Sequence, residues 1–231
     1  MRFSIRILKS LGIETKVDLP SVGENLIEQP NNILAYSGDL ESLSNAYHTF
    51  ATVADLFGND VAAIEASTRA SLSKWAQAAV DASGSDALNI TAIEKLLHIQ
   101  HDLLFKKNVT AAEVLTVVAP QGLLASNFWI LLPFSRGSVH LGSAEKINEP
   151  LINPRFFLAD FDLTATVATG KLAQRFWLSG PVNISVTEPL IPGSDVLPNN
   201  ATDVQWESYA REYRKVSSGF LPFQAAGYKW S

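Results

Sequence analysis

The stretch Phe128–Ser143, "FWILLPFSRGSVHLGS", decides how the chain is read. An aromatic pair leads into an apolar run, Pro133 stops it, and Arg136-Gly137 turns the chain into "GSVHLG", predicted to be a short strand. Trp129 either walls an apolar pocket or belongs to the core. Arg136 either anchors a carboxylate or phosphate from outside or pairs with a carboxylate of the chain itself.

Downstream of this stretch, "EPLINPRFFLADFDL" reads as a loop punctuated by Pro150 and Pro154. Asp160 or Asp162 is expected to cap a helix through "LTATVATGKLAQRFWLSG". "VNISVTEP" places Val182, Ile184 and Val186 on one face, as a half-buried strand does, and "WESYAREYRK" begins a last helix. Upstream, "TAAEVLTVVA" reads as a helix or a strand. "TAIEKLLHIQHDLLF" opens with Thr91 and Glu94 in a capping-box pattern and carries Ile93, Leu96, Leu97 and Leu104 on an apolar face. "VAAIEASTRASLSKWAQAAVDA" spaces Val61, Ile64, Leu72, Trp75, Ala79 and Val80 as one face of a helix. Ile33 to Ser37 forms a strand candidate, "RILKSLGI" a helical turn ended by Gly12, and "VDLPSVGENLIEQP" a loop in which Gly23 supplies backbone freedom. Helices and strands do not alternate regularly, which predicts an α+β fold with an antiparallel sheet flanked by helices.

The 231 residues suffice for one large domain or two small ones. Apolar residues make up 47% and charged residues only 18%, which calls for a large core or a large buried interface. The net charge of −5 argues against a nucleic-acid partner, and no segment is apolar enough for a membrane span. With no cysteine, disulfides, thiolate nucleophiles and cysteine metal sites are excluded. Four N-x-[ST] sequons, at Asn89, Asn108, Asn183 and Asn200, would accept glycans in a secretory protein. "MRFSIRILKS" is not a signal peptide, so the true N-terminus of a secreted protein would lie outside this chain. His98 and His101 form an H-x-x-H pair beside Asp102, read either as a metal pair lacking its remaining ligands or as an exposed helix face; no metal is expected. The chain has no G-x-G-x-x-G or Walker pattern, and "GSVHLGS" is not a nucleophile elbow.

Two segments together carry a resemblance. "DLPSVGENLIEQP" resembles the D-L-P-x-V-G-x-N-L-x-D-H-P loop of the glucose-methanol-choline oxidoreductases, and "LLPFSRGSVHLGS" with "PLINPRFFLADFDL" resembles the opening of that family's substrate domain. "FATVADLFGND", "KWAQAAV" and "NVTAAEV" are similar to the fungal glucose oxidases, and the likeness runs from about Arg6 to about Tyr213. It implies FAD as the cofactor of the full-length family, a sugar or alcohol as small-molecule substrate, hydride transfer to flavin with reoxidation by dioxygen, an extracellular location and a homodimeric full-length form. Residues 1–32 would be a remnant of the FAD-domain loop region and 33–231 the substrate-binding domain. Its C-terminal segment would begin near 128, with an atypical tail from about 214. The resemblance places Trp129, Asn127 and Leu115 at substrate-contact positions, Glu113 as orienter of a catalytic histidine, and Gly23 and Asn25 in the flavin-side loop. Asn127 stands where the glucose oxidases have an aspartate, and Leu115 near a phenylalanine. The fingerprint of a complete Rossmann-type FAD domain would lie upstream, and "RKVSSGFLPFQAAGYKWS" holds no histidine where the family has its catalytic one. The isolated chain is therefore expected to be inactive. The alternative is a non-catalytic sugar- or partner-binding module derived from that domain.

Overall fold

The computed structural model describes residues 5–40, 45–83, 87–119, 122–145 and 149–213. The first four residues and the tail from 214, and with them the expected departure of that tail, lie outside the described residues. In chain order the elements are α1 (Ile5–Ser10), β1 (Glu24–Leu26), β2 (Asn32–Gly38), β3 (Asn45–Ala51), α2 (Val53–Phe57), α3 (Val61–Ser83) and α4 (Ile90–Phe105). There follow β4 (Ala112–Ala119), β5 (Leu123–Ile130), β6 (Gly137–Leu141), β7 (Pro150–Asn153), α5 (Asp160–Leu178), β8 (Val186–Ile191) and α6 (Asp203–Tyr213). The fold is α+β, with antiparallel sheets flanked by helices.

A five-stranded sheet of order β3-β4-β5-β2-β8 forms the centre, antiparallel at every pairing. "TAAEVLTVVA" resolves as the strand β4: Ala112, Val114, Thr116 and Val118 are buried and the residues between them half-buried, the period of two that a pleated strand imposes. Its buried face, with Leu34, Tyr36, Leu124 and Phe128, packs on Leu163, Val167 and Trp177 of α5 and on Trp206 and Tyr209 of α6. Gly170 of α5 is the point of closest approach, since a Cβ there would lie 2.5 Å from Trp206 and 2.9 Å from Phe128. A second core joins α2, α3 and α4 through Leu72, Trp75, Leu97 and Leu104 to Phe134 and Phe161, whose rings meet edge-on at 5.3 Å. A smaller sheet of order β1-β6-β7 lies at the N-terminal loop, where Leu8 of α1 packs on Leu141.

Several sequence expectations are corrected here. The "EPLINP" segment contains the strand β7, because its backbone pairs with β6 from Ser138↔Asn153 to Leu141↔Pro150. Helix α4 is capped by Asn89, whose side chain accepts the N–H of Ala92; Thr91 already lies inside the helix, and Glu94 instead accepts from Ser73. Leu96 does not belong to the core face and is 45% exposed. Neither Asp160 nor Asp162 caps α5, whose N-cap is Ala159; both sit in its first turn. "VNIS" is not strand: Asn183–Ser185 forms a 3₁₀ turn with Ile184 in solvent, and pairing to β2 begins only at Val186.

Candidate functional site

The antiparallel register of β3, β4, β5 and β2 decides which side chains meet. Directly opposed residues share a face of a sheet, and so do residues two apart on one strand. Glu113 lies opposite Trp129 on one side and Phe50 on the other; Leu115 lies opposite Asn127 and His48; Asn127 also faces Ile33. Glu113, Leu115, Asn127 and Trp129 therefore occupy one face of the sheet, the face turned away from α5. His48 and Phe50, which sequence reasoning had not singled out, complete it. The signal for them was the i, i+2 pair in "YHTFA", the same spacing that links Glu113 to Leu115 and Asn127 to Trp129.

This face is chemically mixed. Trp129 is half-buried and Asn127 is buried, with apolar Leu115 and Ile33 beside them. The Glu113 carboxylate, largely buried, lies 2.6 Å from Nδ1 of the more exposed His48, whose ring stacks on Phe50 at 6.4 Å. In the neutral ring that contact puts the proton on Nδ1, which donates to the carboxylate and leaves Nε2 as an acceptor. The arrangement supplies apolar walls, an amide able to donate and accept, and an imidazole–carboxylate pair.

Arg136 is not part of this face. Its guanidinium is buried and donates to the Pro133 and Ser135 carbonyls and to Oε1 of Gln100, so it holds the "LLPFSRG" loop and anchors no external anion. Asp162 does matching work from α5. Its carboxylate accepts the N–H groups of Phe134 at 2.7 Å and Ser135 at 2.8 Å, while Ser135 Oγ accepts the Ala159 N–H. Burial pushes the Asp162 carboxyl up to about 6, against the opposing pull of Ser135, the Phe134 N–H and the Arg136 charge. Thus the apolar and aromatic stretch around Phe134 is secured by buried polar groups from three elements.

The H-x-x-H pair does not assemble a metal site. His101 is fully buried, packs on the Phe105 ring at 4.8 Å and reaches toward the Glu65 carbonyl. No cluster of three metal-ligating side chains exists among the described residues.

The loop carrying Gly23 and Asn25 docks on β6. Gly23 has φ +89, and a Cβ on it would fall 2.3 Å from the Val139 carbonyl, so its missing side chain serves strand packing. Glu24 accepts from His140 at 2.8 Å and lies 3.8 Å from the Arg155 guanidinium, and this largely buried triad pins the loop. Asn25 adopts φ 60, and its Oδ1 is buried without a hydrogen-bond partner, as are Oδ1 of Asn31 and both amide atoms of Asn32. Gln29 reaches across to the Leu131 carbonyl at 3.3 Å and ties this loop to the end of β5.

The same architecture occurs in a fungal aryl-alcohol oxidase, which superposes with a TM-score of 0.71 at 19% identity over 92% of this chain and 40% of that one. An FAD-dependent oxidoreductase from Chaetomium thermophilum matches with a TM-score of 0.69 at 17% identity, over 91% and 40% of the two chains. The fold is thus one that forms about two fifths of each of these two larger oxidoreductases. Residues 133–220 match the family profile described as GMC oxidoreductase. The glucose oxidase-like protein fsoC of Humicola fuscoatra is 50% identical over 90% of this chain and 34% of its own length. Glucose oxidase 2 of Penicillium expansum is 31% identical over 89% of this chain and 33% of its own length. The chain belongs to the glucose-methanol-choline oxidoreductase family and spans about a third of the length of the curated relatives it matches.

Proposed function

We propose that this chain is the substrate-binding part of a longer, glucose oxidase-like, FAD-dependent oxidoreductase acting on the CH–OH groups of sugars or alcohols. The observation that supports it is the convergence of Glu113, Leu115, Asn127 and Trp129 on one face of the sheet. Trp129 and Leu115 form apolar walls against the C–H faces of a sugar ring or an alcohol's carbon skeleton. Asn127 hydrogen-bonds hydroxyls without adding charge, which suits a neutral polyol. Glu113 orients an imidazole beside the reacting hydroxyl, holding its proton on the nitrogen turned toward the carboxylate. Bound FAD would supply the hydride-accepting and electron-passing chemistry. The residues present fit that group on one count: the buried amide atoms of Asn25, Asn31 and Asn32 that lack a hydrogen-bond partner are donors and acceptors of the kind a flavin ring pairs with. In this reading residues 1–32 face the flavin and 33–231 bind substrate, the isolated chain is inactive, and the full-length form is an extracellular homodimer that engages neither nucleic acid nor membrane. All four sequon asparagines are exposed, as glycan acceptors must be.

One observation favours the non-catalytic sugar- or partner-binding module. The Glu113 carboxylate is already engaged by His48, a residue of the same sheet. Flavin titration followed by substrate titration tests the inactivity and the substrate assignment. Flavin absorbance that stays free in solution, with Trp129 fluorescence perturbed by glucose or an aryl alcohol in wild type and not in Trp129→Phe, fits both an inactive substrate domain and the binding module. Bound flavin bleached by sugar would refute the proposed inactivity. No response to any sugar or alcohol would remove the substrate assignment.

A further inference from the structure

The side of the sheet turned toward α5 holds a cavity that the catalytic reading does not use. Thr116 lies opposite Tyr47 on β3 and Ser126 on β5, one residue out of step with Leu115 and Asn127. Its side chain therefore points to the reverse of the substrate face. A cavity of about 220 Å³ opens there between β3, β4 and the end of α5, lined chiefly by Tyr47, Thr116, Val118, Phe176, Trp177 and Val182. Tyr47 and Phe176 are 43% and 45% exposed and flank its mouth, while Thr116 and Trp177 are buried. The Phe176 and Trp177 rings meet edge-on at 4.9 Å. No charged side chain lines the cavity among the described residues. Behind it runs a hydrogen-bond chain. The Trp177 indole N–H donates to Ser126 Oγ at 2.9 Å, and Ser126 Oγ lies 3.0 Å from Thr116 Oγ1. Two hydroxyl protons share that last contact, so one of them is left over. Ser126 is fully buried, and a spare proton there would go unsatisfied in the core. Ser126 therefore donates to Thr116, and the Thr116 proton is the one offered to the cavity.

We infer that this cavity binds a neutral, single-ring aromatic carbonyl compound, with its ring among Tyr47, Phe176 and Trp177 and its carbonyl oxygen on the Thr116 hydroxyl. The size fits. A cavity of roughly 150 Å³ lined by leucine, isoleucine and phenylalanine takes up benzene, and the larger volume here admits a ring with a short substituent. The walls fit as well, since aromatic side chains receive a further ring edge-on or offset. The single directed donor selects the substituent. A carbonyl oxygen accepts that proton and brings none of its own. A carboxylate would find no cation, and a hydrocarbon would leave the Thr116 proton unpaired. The inference does not rest on the substrate assignment, because the two sites lie on opposite faces of the sheet.

The test is NMR titration of the 231-residue chain with acetophenone, and with ethylbenzene as the probe of like shape that lacks the oxygen. Acetophenone is expected to shift the Trp177 indole N–H resonance saturably and to give NOEs from its ring protons to the Phe176 ring. Ethylbenzene should bind about three- to tenfold more weakly, the value of one hydrogen bond. Thr116→Val keeps the shape and removes the donor, so the two probes should then bind alike. Phe176→Ala removes a wall at an exposed position, where the fold does not depend on it, and should weaken both probes. No saturable shift at Trp177 overturns the inference. Equal binding of the two probes by the wild-type chain overturns the role of Thr116 and with it the carbonyl assignment. Shifts confined to Trp129 would put the probe on the substrate face, overturning this inference and leaving the proposed function standing.

Discussion

Replacing Asp162 by asparagine tests the account of the "LLPFSRG" loop most directly. The carboxylate is buried and accepts two backbone N–H groups, from Phe134 and Ser135. Asparagine keeps the shape but offers one oxygen, so Nδ2 must face one of those donors. A lost hydrogen bond together with an unsatisfied buried N–H costs about 2–4 kcal/mol. The pH dependence carries more information. The folded carboxyl titrates at about 6 against an ordinary value of 3.8, so between these values the folded state holds the proton more tightly than the unfolded chain. Stability contributed by the protonated form is complete below about pH 4 and is lost as pH rises through about 6. Roughly two pH units at about 1.4 kcal/mol each give about 3 kcal/mol. Asparagine does not titrate, so the stability gap between wild type and Asp162→Asn should be widest near pH 4 and shrink by about 3 kcal/mol by pH 7. Urea denaturation of both proteins, followed by the fluorescence of buried Trp177 and Trp206, measures the gap, and the other carboxylates cancel in the difference. A gap that is constant or widens with rising pH would show that the hydrogen bonds and Arg136 outweigh burial and that the carboxylate sits ionised in the core.

Other expectations follow from the same contacts. Gly170→Ala forces a methyl against Trp206 and Phe128 and should cost about 1–3 kcal/mol, read as a lowered melting temperature. Gly23→Ala places a Cβ against the Val139 carbonyl at a left-handed φ, and hydrogen exchange at the Val139 amide should accelerate while that of β4 and β5 stays unchanged. Leu97→Ala, fully buried between α3 and α4, should cost about 2–5 kcal/mol by denaturant titration. Glu113→Gln should weaken its contact with His48, and NMR should show faster motion of the His48 ring than in wild type.

The sequence by itself determined the strongly periodic helices α3 and α4, the mixed order that excludes a doubly wound sheet, and the family, through two loop motifs whose residue types follow from local backbone demands. The spacing of two that links Glu113 to Leu115 and Asn127 to Trp129 became a shared face only once "TAAEVLTVVA" resolved as a strand paired with β5. Only the tertiary structure decided that these two pairs are neighbours, because register across strands is set by turns and by which face finds a core, and no local pattern carries it. It likewise turned "VNIS" away from the sheet despite its alternation and gave Asp162 to loop amides 27 and 28 residues distant in place of the helix N-terminus it was expected to cap. His48 joined Glu113 for the same reason: the two lie 65 positions apart, and only strand pairing between β3 and β4 brings a carboxylate and an imidazole into contact.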